Sequence, residues 1–317
     1  MRLLIWGQFI MDENLDKEKE VKVKKLVQET DLISILDEIE AKYWVPFLKT
    51  PFKQLDQLCE KAKSDCPALQ GTVAAFTSNL NAAKELLEYP YLLIAPQFCE
   101  LSDFTTPSDD IESLVAFATK VLKGSKGPLI RHNQTMRLMH QACLLIWGAL
   151  EIYCKEVFIY SLNERPELYL NLQKNESLKS RFSISQSSWM TILESHGFNL
   201  NGKLGTIVAA DKDFSSPQLL QSLFTPLYAG FNASPELLAY FQSKELWKLG
   251  QRRHLIAHKC ALVDNEYISK TGDSSQEIGN VLHLKGRDVA EGMAIAAQCA
   301  IGLYGWARFC WTDQEET

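Results

Sequence analysis

Long apolar runs, paired cysteines and an excess of positive charge are all missing from this sequence. No segment holds about 18 uninterrupted apolar residues, so we expect no transmembrane helix and no contact with membranes. The net charge is -6, so the chain as a whole is not a polycation that attracts nucleic acid. Any contact with RNA must therefore come from a local basic patch.

The cysteines are not arranged for metal binding. There are eight of them, scattered without a C-x-x-C pair, and several lie in apolar helical runs where thiols usually pack as small hydrophobic groups. This pattern favours a cytoplasmic protein without structural zinc. Gly7 and Gln8 interrupt the short apolar start, so we predict no secretion signal. Met11 opens the charged segment that follows and is a second candidate start.

Sustained strand alternation and internal repeats are missing as well, and helical periodicity dominates the chain. We therefore predict an all-α fold. In the N-terminal part we expect helices over residues 52–66 and 68–88, and we expect Pro90 to end the second helix. No chemistry is assigned to this N-terminal helical region, which we place at residues 1–125.

A linker is predicted at residues 123–128, which combine two glycines with a proline. It separates the N-terminal region from a helical bundle domain over residues 126–317. The first long helix of that domain, residues 132–162, is apolar around most of its circumference, as is typical of a helix at the centre of a bundle. Residues 183–233 are richer in Ser, Gly, Asn and Pro, and they predict a loop-rich insertion with short helices.

Two further helices are predicted near the end of the chain. Ser234 followed by Pro235 is a typical helix start, and this helix is expected to run towards Leu249. Residues 287–311 are mostly small and apolar, and they predict a long closing helix.

Residues 246–259 concentrate four cationic side chains and two histidines in an otherwise acidic protein. Such a cluster is a candidate phosphate-binding patch. Arginine presents a planar fork of donors that matches two phosphate oxygens, and histidine exchanges a proton near neutral pH. Both properties suit the cleavage of RNA by transesterification.

In that reaction a base removes the proton of the ribose 2′-hydroxyl, the oxygen attacks the neighbouring phosphorus, and positive charge stabilises the phosphorane. Neither a metal nor a protein nucleophile is required, and we expect no cofactor. Arg253 and His258 are the candidates for these roles. Residues five apart are separated by about 140° around an ideal helix, so we expect either that a helix starts within the motif or that a second subunit completes the site.

Two other interpretations of the same residues stay open at this point. His258 follows three apolar residues and is equally compatible with a hydrogen-bonded core histidine, with Arg253 as a surface ion-pair partner. His254 and His258 lie four apart on one helix face, as metal-binding histidines do. However, Leu255 stands where a zinc protease helix would carry Glu, and no obvious third ligand follows.

The segment Arg253-His254-Leu255-Ile256-Ala257-His258 resembles the Arg-polar-x-x-x-His motif that defines HEPN-domain ribonucleases. The surroundings are also similar, because a Leu-Trp helix leads into the motif and a long helix closes the domain. Glu151 and Lys155 resemble the Glu-x-x-x-Lys element on the first bundle helix of some HEPN families, although a helical ion pair explains this spacing equally well. The resemblance covers about residues 130–311.

The resemblance implies a HEPN-like bundle that dimerises, so that Arg and His from both chains line a shared cleft. It implies a metal-independent endoribonuclease of the toxin or antiviral-defence type, with RNA as substrate and an antitoxin or regulatory protein as a further partner. The alternative is a non-catalytic HEPN module that binds RNA, nucleotide or a partner protein. The predicted roles are catalysis for Arg253 and His258, support for His254, Arg252, Glu151 and Lys155, and substrate binding for Lys248 and Lys259.

Overall fold

The computed structural model describes residues 45–99, 128–184, 189–230 and 236–312. Within these ranges the protein is all-α, as predicted, and its only strand-like feature is an isolated bridge between Leu262 and Val281. In chain order the helices are α1 (Val45–Asp65), α2 (Pro67–Cys99), α3 (Pro128–Glu164), α4 (Leu168–Gln173), α5 (Glu176–Phe182), α6 (Trp189–Ser195), α7 (Leu204–Ala209), α8 (Pro217–Leu227), α9 (Glu236–Ala239), α10 (Lys244–His258), α11 (Asn265–Thr271) and α12 (Gly286–Thr312).

The chain divides into two compact units. One consists of Val45–Leu87 and Met136–Thr317, and it contains all the helices from α4 onwards together with most of α1 to α3. Of the other unit, the structure describes only residues 88–99 and 128–135. Part of the predicted N-terminal region therefore packs with the bundle. Residues 100–127, which hold most of the predicted linker, lie outside the described residues.

Two long helices form the core of the larger unit, and both were predicted. The fully buried side chains of α3 include Ile146, Leu150, Val157 and Phe158. The closing helix α12 packs small residues inward, and its Ala300 carbonyl accepts a hydrogen bond of 3.1 Å from the buried Tyr153 hydroxyl of α3. This buried hydrogen bond joins the two helices.

Helix α1 also belongs to this core, because Leu55 and Ala62 are fully buried. Polar contacts hold it to α12: Gln298 donates to Gln54 over 3.0 Å, and Arg308 lies 3.2 Å from Asp65. The predicted end of the next helix at Pro90 is wrong, since α2 continues to Cys99. One proline removes a single backbone donor, and the hydrogen bonds on either side of it suffice to continue the helix.

The predicted insertion does contain short helices, α6, α7 and α8, and it is anchored to α3. Gly205 in α7 has no space for a side chain, because a Cβ there would meet the carbonyl oxygen of Ile159. Phe214 lies with its ring centroid 5.3 Å from that of Phe158 and 6.0 Å from that of Phe182. Aromatic packing of this kind stabilises the contact beyond its buried area.

The helix predicted from Ser234 to Leu249 is interrupted. After α9 the chain forms a 3-10 turn over Tyr240–Gln242, and Ser243 has an extended backbone with φ -71° and ψ 149°. Its hydroxyl accepts a hydrogen bond from the Leu246 amide, so a new helix begins there. This new helix, α10, carries the whole motif.

The described cysteines mostly pack as the sequence predicted. Cys66, Cys143, Cys154 and Cys299 are buried and none is in a disulfide. Burial raises the pKa of the Cys143 thiol to about 12, so this thiol stays protonated and packs as an apolar group. Cys260 is exposed.

Candidate functional site around Arg253 and His258

The motif occupies the C-terminal end of α10, which ends at His258. Immediately afterwards Cys260 and Ala261 both adopt positive φ angles, 53° and 60°, and the Ala261 amide donates to the Leu255 carbonyl over 3.0 Å. This closes the last helical turn and reverses the chain. The prediction that a helix starts within the motif is therefore wrong: the helix ends there.

Arg253 and His258 nevertheless meet within one chain, because Nη1 of Arg253 lies 3.1 Å from Nε2 of His258. A guanidinium has donors only, so Nε2 accepts and the proton of the neutral ring is on Nδ1. His258 is exposed, and the Arg253 side chain keeps 23% of its surface accessible. The pair is not enclosed in the core, and its imidazole is reachable from solvent.

Glu151 of α3 also contacts this arginine, with its Oε2 atom 4.0 Å from Nη2 of Arg253. Burial raises the pKa of Glu151, the charge of Arg253 opposes this rise, and the charge of Asp213 adds to it. Lys155, one turn later on α3, is half-buried and also lowers the pKa of Glu151. The structure therefore brings Glu151 of the predicted Glu-x-x-x-Lys element to the motif, and Lys155 acts on Glu151.

Asp213 was not predicted as part of the site. It lies between α7 and α8, its carboxylate accepts a hydrogen bond of 2.8 Å from the Ser215 amide, and Arg181 donates to its carbonyl. Burial alone would raise the pKa of Asp213, but the Ser215 hydrogen bonds and the charges of Arg181 and Arg253 lower it. The insertion thus contributes a second carboxylate that interacts electrostatically with Arg253, across 40 residues of sequence that no local pattern links.

His254 is exposed on the same side of α10 as His258, and its ring centroid lies 5.0 Å from that of His258 at an interplanar angle of 49°. Burial and then the charge of His258 lower the pKa of His254. At neutral pH this ring is therefore uncharged, so it stands beside His258 as a polar neighbour and a hydrogen-bonding group.

Arg252 lies in the interior of the unit, away from the surface that carries Arg253. Its Nη2 atom donates to Asp288 of α12 over 2.7 Å and lies 4.0 Å from Asp273. Burial alone would lower the pKa of Arg252, but the Asp288 carboxylate and Tyr267, with a smaller contribution from Cys143, together outweigh it and the pKa is raised. The contacts of Arg252 join α10 to α12, and any support for the motif acts through the position of α10.

The two lysines predicted to bind substrate are placed differently. Lys259 contacts the carboxylates of Asp264 and Glu266, the latter over 2.9 Å, so much of its charge is already compensated. Lys248 is half-buried, and ten residues of helix separate it from His258, about 15 Å along the axis. The basic character of the exposed site therefore depends mainly on Arg253.

Within the described ranges, no three His, Cys, Asp or Glu side chains are grouped so that they could hold a metal ion. No helix among the described residues is long and apolar enough to cross a membrane. Comparison of the chain with models of protein families, with curated proteins and with solved structures found no match.

Proposed function

We propose that this protein is a metal-independent endoribonuclease with Arg253 and His258 as its catalytic pair. The observation that carries the proposal is the 3.1 Å contact between Arg253 Nη1 and His258 Nε2 at an exposed position. A cation that binds phosphate and an imidazole that accepts a proton are the two groups that RNA transesterification needs. The proposal rests on this geometry and on the resemblance to HEPN-domain ribonucleases.

The donor direction at this contact suits a general base. Because Arg253 donates to Nε2, that nitrogen keeps a lone pair in the free protein. When the guanidinium turns to a bound phosphate, the same lone pair takes the proton of the ribose 2′-hydroxyl. The 2′-oxygen then bonds to phosphorus, the bond to the 5′-oxygen breaks, and the leaving oxygen takes up a proton. The products are a 2′,3′-cyclic phosphate and a 5′-hydroxyl.

Arg253 is the stabilising group in this mechanism. Glu151 holds one edge of the guanidinium at 4.0 Å, which leaves further N–H groups for two phosphate oxygens. Lys155 lies close enough to lower the pKa of Glu151 and so favours its ionised form. His254 assists the orientation of the substrate from the same face of α10.

We further propose that the protein acts as a homodimer, as a toxin or antiviral-defence effector with an antitoxin or regulatory partner. His254, Ala257 and His258 are exposed, so the pair lies on an open surface. A second copy facing this surface would supply the other wall of an RNA cleft. Each chain would contribute a complete Arg253–His258 pair to that cleft.

The test is RNA cleavage by the purified protein in EDTA. We expect cleavage that ends in a 2′,3′-cyclic phosphate, and we expect His258→Ala and Arg253→Ala to lower the rate by at least about 100-fold. His196→Ala, which changes a half-buried histidine that follows α6, is the matched control and should keep the parental rate. Parental cleavage by His258→Ala would refute the assignment.

A second candidate function is a non-catalytic module that binds RNA, nucleotide or a partner protein. The contact between Arg253 and Glu151 favours it, because an arginine held by a carboxylate of its own chain is also what a structural ion pair requires. This alternative predicts binding without cleavage, and binding that His258→Ala leaves unchanged.

A further inference from the structure

His254 and His258 lie one turn apart at the exposed end of α10, with ring centroids 5.0 Å apart. When two imidazoles bind one ion with metal–nitrogen bonds of about 2.0 Å and a roughly tetrahedral angle, their centroids are about 5 Å apart. The two rings have this separation in the structure, so their spacing along α10 suits a shared ion.

We propose that His254 and His258 form a two-histidine site for a divalent transition-metal ion such as Zn²⁺ or Ni²⁺, and that its occupation breaks the Arg253–His258 hydrogen bond. Imidazole nitrogen is a preferred ligand of these borderline ions and a poor one for Mg²⁺ or Ca²⁺. Water molecules complete the coordination of an ion held by two protein ligands.

The surroundings of the pair contain groups of both charges. The site lies at the C-terminal end of a helix, where the backbone carbonyls carry partial negative charge. The carboxylate of Glu266 lies close enough to affect His254. The charges of Lys259 and Lys270 act in the opposite direction on His254, although both lysines contact that same carboxylate, at 2.9 Å and 2.7 Å.

Both rings are available as ligands in their neutral form. A histidine must be unprotonated to bind a metal. Burial and the charge of His258 lower the pKa of His254, and the donation from Arg253 already requires a lone pair on Nε2 of His258. In the neutral form, each ring offers one unprotonated nitrogen to a metal ion.

The metal ion and Arg253 compete for the nitrogen lone pair of the neutral His258 ring. A neutral imidazole has one nitrogen with a lone pair, and its other nitrogen carries the proton. In the structure the lone pair of His258 accepts the N–H of Arg253. Whichever nitrogen binds the metal, the other carries hydrogen, so a metal-bound His258 cannot accept from Arg253. One coordinate bond forms, one hydrogen bond breaks, and no redox step is involved.

The binding half of this inference is independent of the proposed function, and the inhibitory half rests on it. Binding is measured by calorimetric titration of the full chain, freed of metal with EDTA and desalted, with ZnCl₂, NiCl₂ or MgCl₂. We expect one Zn²⁺ or Ni²⁺ site and no Mg²⁺ binding. His254→Gln should weaken the Zn²⁺ and Ni²⁺ affinity at least about tenfold, because one ligand and the chelate are lost.

Two control variants make the binding result specific. His196→Gln changes a histidine elsewhere in the chain and should keep the parental affinity. Cys260→Ser removes the exposed thiol two residues after His258, which is itself a Zn²⁺ ligand. If His254→Gln binds as tightly as the parent, or if Cys260→Ser abolishes binding, the two-histidine site is refuted.

The inhibitory half is measured as the ratio of RNA cleavage rates with and without saturating Zn²⁺, each variant being compared with its own metal-free rate. We expect Zn²⁺ to slow the parent more than tenfold, and to slow His254→Gln much less at the same concentration. Equal inhibition of both would refute the competition with Arg253. If the parent binds Zn²⁺ but never cleaves RNA, the ribonuclease proposal fails while the metal site stands. If the parent cleaves RNA but does not bind Zn²⁺, the metal site fails while the ribonuclease proposal stands.

Discussion

Nη1 of Arg253 lies 3.1 Å from Nε2 of His258 although the two residues are five positions apart on one helix. Their Cα–Cβ bonds point about 140° apart around an ideal helix. The contact forms because the arginine side chain is long and because His258 is the last helical residue. A composite site is therefore not needed to bring these two groups together.

The neighbouring residues Arg252 and Arg253 should contribute differently to the stability of the fold. Arg252→Ala leaves Asp288 without the partner that it has at 2.7 Å, so we expect a loss of about 3 kcal/mol in the free energy of unfolding. Arg253→Ala removes a partly exposed contact at 4.0 Å and should cost less than about 1 kcal/mol. Urea denaturation of both variants measures the two losses in free energy of unfolding. Losses of similar size would contradict the predicted difference between Arg252 and Arg253.

Gly250→Ala should destabilise the protein, because a Cβ at this position would overlap the Pro217 ring and approach the Trp147 ring to 2.9 Å. We expect a loss of about 1–3 kcal/mol in urea denaturation. Gly148→Ala on α3 is the matched control: its Cβ meets nothing within 4 Å, so the variant should gain up to about 1 kcal/mol. A neutral Gly250→Ala would mean that Pro217 moves aside.

The stability of Glu151→Gln should depend on pH. The pKa of Glu151 is raised in the folded protein, first by burial. Such a group stabilises the fold below its unfolded pKa, and the contribution is lost as the pH rises through the folded pKa. The free energy of unfolding of Glu151→Gln minus that of the parent should therefore be larger at pH 7 than at pH 4. Glu156→Gln, an exposed carboxylate on the same helix, is the control in urea denaturation at both pH values. An equal difference at the two pH values would contradict the prediction.

Asp213→Asn should strengthen RNA binding. The substitution keeps an oxygen for the Ser215 amide and removes a negative charge near Arg253. In a His258→Ala background, which should not cleave, we expect about threefold tighter binding, with a smaller gain at high salt. Asp211→Asn, an exposed neighbour, is the control. Equal effects of the two substitutions would assign the change to overall charge.

The sequence predicted the long helices well, because residues 132–162 are apolar around most of the helix and residues 287–311 are mostly small and apolar. Both periodic signals are strong and extend over many turns. It did not predict the break between α9 and α10. Ser243 caps α10 without the Glu three residues later that would complete a capping box, and Ser234 with Pro235 gave a stronger start signal.

The sequence did not predict the end of α10 either. Helices often end at a glycine with positive φ, but here Cys260 and Ala261 occupy that region. The carboxylates that act on Arg253 were predicted only in part: Glu151 was chosen by its spacing to Lys155, whereas Asp213 lies in a loop whose position depends on the packing of Phe214. Such long-range interactions leave no periodic trace in the sequence.

The insertion is fixed to α3 at two levels, through Gly205 against the Ile159 carbonyl and through Phe214 between Phe158 and Phe182. A chain trimmed to the long helices would therefore expose an aromatic face of its own central helix, which favours aggregation. The smallest fragment that keeps this face covered has to retain the residues from 204 to 214. Residues 204–214 belong to a loop-rich segment of the sequence, but they cover one side of the hydrophobic core.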